Sequence, residues 1–234
     1  MKLAIPALAL LLLVAAVAAS NHESLGYSDE TTIAGPGTDA CADGVLTYHH
    51  DDSFENGYAW RYMGVQPPYY GSWAEGYDLG QGMVYCGVYW LTTLPGYFNG
   101  QSSDCYIWEG GTDTQPDAVL GVVTGIVFGN VPNWPTTGQN DVDLNTAVTG
   151  PFTVGYWPNW PGSYAGFYCA ADLDGVQGHP WTCIAPDSGF PTGWQDPSMV
   201  YGSTRSMGCG VYFLEGGTPI ESGTWGSVKA LFGR

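Results

Sequence analysis

Basic residues are scarce in this chain. Five Lys and Arg stand against 22 Asp and Glu in 234 residues, a formal net charge of −17 at pH 7. A surface of that sign repels phosphate backbones, which argues against nucleic acid as a partner. Histidine is equally sparse, limited to His22, His49, His50 and His179. No G-x-S-x-G, no H-E-x-x-H and no strand-linked G-x-G-x-x-G occurs, so the common hydrolase, metalloprotease and dinucleotide signatures are missing. No two cysteines form C-x-x-C, which argues against a zinc site. Good helix formers are few beyond residue 20. No later apolar run approaches the ~20 residues needed to cross a bilayer, so no transmembrane segment is expected in the mature protein.

The first apolar run has a different meaning. Lys2 precedes residues 3–17, which are rich in Leu and Ala, and Ala16-Val17-Ala18 offers a small-x-small cleavage site. At about 15 residues the run is short for a membrane anchor and suits a secretory signal peptide over 1–20. Residues 21–40 are Ser, Thr, Asp, Gly and Glu with few apolar positions, and they read as a flexible N-terminal segment. A secreted or cell-surface location follows.

What the chain does have is 10 Trp, 16 Tyr, 8 Phe, 35 Gly and 16 Pro. That many aromatics can build a substantial core, and short apolar runs punctuated by Gly and Pro point to an all-β fold. The domain opens over 46–60, where a strand leads through a cluster of acids into a second strand at Tyr58. Residues 83–94 are apolar on both faces, as a central strand covered on both sides, or one with a face under a loop, would be. There, alternation sets Met83, Tyr85, Tyr89 and Leu91 against Val84, Cys86, Val88 and Trp90. Residues 118–128 are β-branched, with Gly121 and Gly125 marking bulges or bends. Val142 and Leu144 point inward; Phe152, Val154 and Tyr156 share one face of the following strand, Phe167, Cys169 and Ala171 share one side of another, and Cys209, Val211 and Phe213 start the last. Residues 186–206 read as a long loop. Nine or ten short strands of this kind predict a single β-sandwich or jelly-roll-like domain over 41–216.

Six cysteines in an exported chain predict three disulfides. Sequence neighbours suggest Cys86–Cys105 and Cys169–Cys183, with Cys41–Cys209 tying the domain ends together.

Two places could carry chemistry. His49, His50, Asp51, Asp52 and Glu55 crowd one turn, and Asp51, Asp52 and Glu55 are the candidate ligands of a Ca²⁺ ion, the cofactor such a cluster could take. Asp and Asn also favour turns for local hydrogen-bonding reasons. The two histidines alternate faces, so both cannot easily serve one ion. The second place is the recurrence of Pro-Asn-Trp-Pro at 132–135 and 158–161. Trp134, Trp157, Trp160 and Trp194, with Tyr69 assisting, could stack on sugar rings. Alternatively, they fold back to cap the sandwich. A glycosidase would need opposed carboxylates, for which Glu55, Glu75 and Glu109 are available.

The turn Tyr48-His49-His50-Asp51-Asp52-Ser53-Phe54-Glu55-Asn56-Gly57, the strand Val142-Asp143-Leu144 and the strand Gly150-Pro151-Phe152-Thr153-Val154-Gly155 resemble secreted bacterial β-sandwich modules with a Tyr-Asp-Asp-like opening turn. The His pair and the six cysteines depart from that pattern. The resemblance implies an accessory or surface role. The expected function is a secreted, non-catalytic module that binds an extracellular glycan or cell-surface component. A structural subunit of a surface layer or fibre is the alternative, and a secreted glycoside hydrolase the second. Residues 217–234 differ in kind: Trp225, Val228, Leu231 and Phe232 make a helical stripe, and Lys229 and Arg234 sit toward its end. This tail either docks on the sandwich or is read by export or sorting machinery.

Overall fold

The computed structural model describes residues 22–29, 31–35, 41, 43–61, 69–158 and 166–216. The expected signal peptide, the C-terminal tail and Trp160 lie outside the described residues.

Among the described residues the fold is all-β, with two sheets and one helical turn. In chain order the strands are β1 His22–Ser24, β2 Thr32–Ala34, β3 Val45–Thr47, β4 Asn56–Trp60, β5 Trp73–Tyr77, β6 Gly82–Thr92, β7 Ser102–Glu109 and β8 Val119–Val127. They continue as β9 Thr136–Val148, β10 Phe152–Trp157, β11 Tyr168–Asp172, β12 Pro180–Ile184 and β13 Gly193–Gln195. The helical turn α1 Ser198–Tyr201 precedes β14 Ser206–Met207 and β15 Cys209–Glu215. The first sheet is built on β6. One edge of β6 pairs with β9 along most of its length, and the other is shared by β15 and β11. The second sheet runs β13-β12-β5-β10-β7-β8.

Strand alternation places one residue set of each sheet inward. Tyr58, Tyr89, Val142, Leu144, Phe167, Cys169, Val211 and Phe213 of the first sheet meet Trp73, Tyr77, Ile107, Phe152, Val154 and Tyr156 of the second in one core. Hydrogen bonds cross that core: Trp60 Nε1 donates to Thr182 Oγ1 at 2.7 Å, Tyr77 Oη to the Cys209 carbonyl at 2.6 Å, and Tyr89 Oη to the Gly155 carbonyl at 3.2 Å. These bonds let Trp60, Tyr77 and Tyr89 sit in the interior with their polar atoms satisfied. Tyr201 of α1 stacks on Tyr58 with 4.1 Å between ring centroids.

β6 is covered on both faces, as expected. Val88 and Trp90 face outward under Phe54, Leu46, Tyr48 and Ile33. The simple alternation along it fails at one point, because a bulge between Val84 and Cys86 shifts the register and puts Val84 with Tyr89 and Leu91 in the core. A bulge inserts one extra residue and so reverses the facing of everything before it.

Two further expectations are corrected. The segment 21–40 contributes β1, paired with β4, and β2, paired in parallel with β9. Three-residue edge strands need only backbone partners, so hydrophobic patterning does not reveal them; Leu25, Ile33 and the His22 ring, edge-on to Trp60, Phe190 and Tyr201, pack the segment down. The loop over 186–206 likewise contains β13 and α1.

None of the three expected disulfides forms. Cys41 is bonded to Cys86, with Cα atoms 5.9 Å apart. Cys86 shares the outer face of the first sheet with Val88 and Trp90, opposite Tyr212, whereas Cys105 points into the core from the second sheet. Cys169 and Cys183 sit on β11 and β12, in different sheets. Cys209 lies beside Cys169, with 3.9 Å between sulfurs. Sequence neighbours thus fell on opposite sheets.

Candidate functional site

The outer face of the second sheet is aromatic. On β7, Cys105 and Ile107 point inward, so Tyr106 and Trp108 must point out, and they stack with centroids 4.9 Å apart. The register runs a row across the sheet from Trp181 to Ala74, Gly155 and Tyr106. The two small residues leave a trough between the flanking rings. Tyr69 covers part of it, edge-on to Tyr106 at 5.2 Å and to Trp108 at 5.6 Å. Trp194 of β13 stands edge-on to Trp108 at 5.0 Å. Trp108 is therefore fully buried, and its indole nitrogen finds no acceptor among the described residues.

The outermost rings are Tyr69, Trp157, Trp181 and Trp194, all half-buried. Two are pinned by their nitrogens. Trp157 Nε1 donates to the Tyr70 carbonyl at 3.0 Å, and Trp181 Nε1 donates to the Gly111 carbonyl at 2.7 Å. Gly111 reaches that place because Gly76 below has no Cβ; a methyl group there would collide with the Gly111 carbonyl. A groove of about 310 Å³ adjoins Trp181, lined by Thr112, Gln177, Gly178, His179, Pro180 and Asp196. Rigid rings and hydroxyl, amide, imidazole and carboxylate groups thus share one surface. A larger groove of about 540 Å³ lies beyond Thr112, with Glu109, Asp113 and Asp117 facing Leu120 and Pro151, and it has no aromatic lining.

Of the expected stacking residues, Tyr69, Trp157 and Trp194 come together here. Trp134 does not: it lies just before β9, joined to Thr93 at the end of β6 in the first sheet. Trp160, of the second Pro-Asn-Trp-Pro, lies outside the described residues. Tyr106, Trp108 and Trp181 were missed. Their signal was the out-facing phase of β7 and β12, legible once the inward set was assigned.

In the opening turn, Asp51, Glu55 and Asp174 bring carboxylate oxygens within 4.8 Å of one another. Asp174 takes the third place expected for Asp52, whose carboxylate accepts from Tyr48 Oη at 2.8 Å. Hard oxygen ligands of this kind suit a Ca²⁺ ion. The same oxygens already serve the fold: Asp51 Oδ1 and Glu55 Oε1 both accept from Ser53 Oγ, and Glu55 Oε2 accepts from the Leu173 N–H. Asp172 binds the two turns together, accepting from the N–H groups of Asp51, Asp174 and Gly175; burial pushes its carboxyl upward.

The histidines diverge, as alternation required. His49 meets Glu75, while His50 inserts among Tyr48, Phe54 and Trp90. Of the candidate glycosidase acids, Glu75 is fully buried and holds three donors: His49 Nδ1, the His179 N–H and the Met207 N–H. Comparisons with family models, with curated proteins and with solved structures find no match.

Proposed function

We propose that the protein is a secreted, non-catalytic module that binds glycans on the outer face of its second sheet. The observation that carries this reading is the set of half-buried rings Tyr69, Trp157, Trp181 and Trp194 beside the groove of Gln177, His179 and Asp196. The C–H faces of a pyranose are apolar and pack on an indole, while its equatorial hydroxyls need donors and acceptors at the rim. Anchored indole nitrogens hold the rings in place before the ligand arrives, which lowers the ordering cost of binding. The acidic surface favours neutral or cationic sugars over sulfated or uronic ones. The leader over 1–20 supports an extracellular setting.

A glycan array spanning neutral, amino-containing and acidic polysaccharides tests the reading. Binding to a neutral or amino-containing glycan that Trp181→Ala and Trp194→Ala remove supports it. Silence across the array, or binding restricted to sulfated chains, contradicts it.

A further inference from the structure

β8 is the outer strand of the second sheet, and among the described residues it pairs only with β7. Other strands at sheet edges, β1, β2, β3 and β13, have three residues each, while β8 has nine. Natural sheets blunt a long edge with charge, proline or bulges. β8 carries no charge and no proline, reading Val-Leu-Gly-Val-Val-Thr-Gly-Ile-Val in a chain of net charge −17, and its two irregularities leave 121–123 regular. The uncovered run of β9 beside it carries Asp141 and Asp143. Val119, Leu120, Val122 and Val127 are 39–56 % exposed, a concentration of apolar surface found on one strand.

The sequence of β8 is nearly the same read from either end. About Val123, Val119 mirrors Val127, Leu120 mirrors Ile126, Gly121 mirrors Gly125, and Val122 mirrors Thr124. We infer that β8 pairs antiparallel with β8 of a second copy about a two-fold axis at Val123, forming a homodimer. A two-fold contact is self-complementary, so each residue must suit its mirror position, and this strand meets that requirement. The ladder to β7 is irregular on either side, at Leu120 and at Thr124-Gly125, and regular over 121–123. The axis therefore falls on the regular stretch. Like-charged surfaces repel, and an uncharged edge is where two acidic copies approach at least cost. The contact is closed, so it gives a dimer and not a fibre. Such an axis runs perpendicular to the sheet, so both outer faces point the same way. If the glycan reading holds, two platforms on one continuous sheet gain avidity for a polymeric ligand.

Sedimentation velocity of the full chain across a concentration series tests the dimer. The wild type shifts from monomer to dimer as concentration rises. Leu120→Lys and Val122→Lys stay monomeric although each reduces the net negative charge, and Val45→Lys, exposed on β3, dimerises like the wild type. Amide exchange adds a readout without substitution: β8 amides slow with rising concentration. A monomer at every concentration overturns the inference. So does a dimer that both β8 lysines leave intact, or one that Val45→Lys also abolishes.

Discussion

His49 Nδ1 lies 2.9 Å from Glu75 Oε1, and this contact joins the two sheets. His49 follows β3 in the first sheet, stacked on Tyr77 at 4.7 Å. Glu75 sits on β5 of the second, and its other oxygen accepts from the Met207 N–H of the first at 2.8 Å. Replacing Glu75 by Gln turns one acceptor oxygen into an N–H₂ facing a donor. An unmet buried donor costs about 1–3 kcal/mol. Urea unfolding of Glu75→Gln should show a lower midpoint with an unchanged slope. An unchanged midpoint would mean that water, not the carboxylate, serves these donors.

His50 should make the protein acid-sensitive. Burial pushes its imidazole down to about 4, against a neighbouring pull upward from Asp52 and Asp51. Nδ1 accepts from the Asp52 N–H at 3.1 Å, which fits the neutral ring. The unfolded chain takes up this proton near pH 6.5 and the folded one does not, so the unfolded state binds more protons between about pH 6.5 and 4. Stability therefore falls as pH drops through that window, by on the order of 3 kcal/mol from this group. His50→Phe keeps the ring packing and removes the titration. The stability difference between wild type and variant should vary with pH only in that range. Glu75, which burial pushes upward, acts in the opposite sense and cancels in the comparison.

Peptide mapping without reduction should recover Cys41 joined to Cys86, with Cys105, Cys169 and Cys209 carrying thiols. Replacing both bridged cysteines by Ser should cost about 2–4 kcal/mol. Recovery of Cys86 joined to Cys105 would contradict the sheet assignment itself.

The shared faces of β9, β10, β11 and β15 were legible because each strand places its core residues at every second position. The phase of β6 was not, since the bulge before Cys86 leaves no mark in an all-apolar run. Disulfide pairing was illegible for a related reason: it depends on which sheet each strand joins, and strand order is not periodic. At the site, loop position drew attention to Trp134, whereas the platform is built mostly from strand residues. Tyr106 and Trp108 are buried and Trp181 is half-buried beneath neighbouring rings, a cover that local sequence does not show. Asp174 approaches Asp51 and Glu55 only through a long-range contact between two turns, which no local spacing marks.

Gly76→Ala should disturb the platform from beneath. The added methyl displaces the Gly111 carbonyl, which is the acceptor for Trp181 Nε1. We expect a loss of about 1–3 kcal/mol in stability from overpacking and greater exposure of Trp181, read as a red shift in tryptophan emission. An unshifted spectrum would show that Trp181 does not depend on that carbonyl.

The most direct test is calorimetric titration of the wild type, Trp181→Ala, Trp194→Ala and Trp134→Ala with the glycan that gives the strongest array signal. The platform lies on the second sheet and Trp134 on the first. Binding should weaken at least tenfold in Trp181→Ala and Trp194→Ala, about 1.4 kcal/mol or more, with Trp134→Ala like the wild type. Loss of binding in Trp134→Ala, with the other two unaffected, would place the ligand on the opposite sheet and contradict the platform reading.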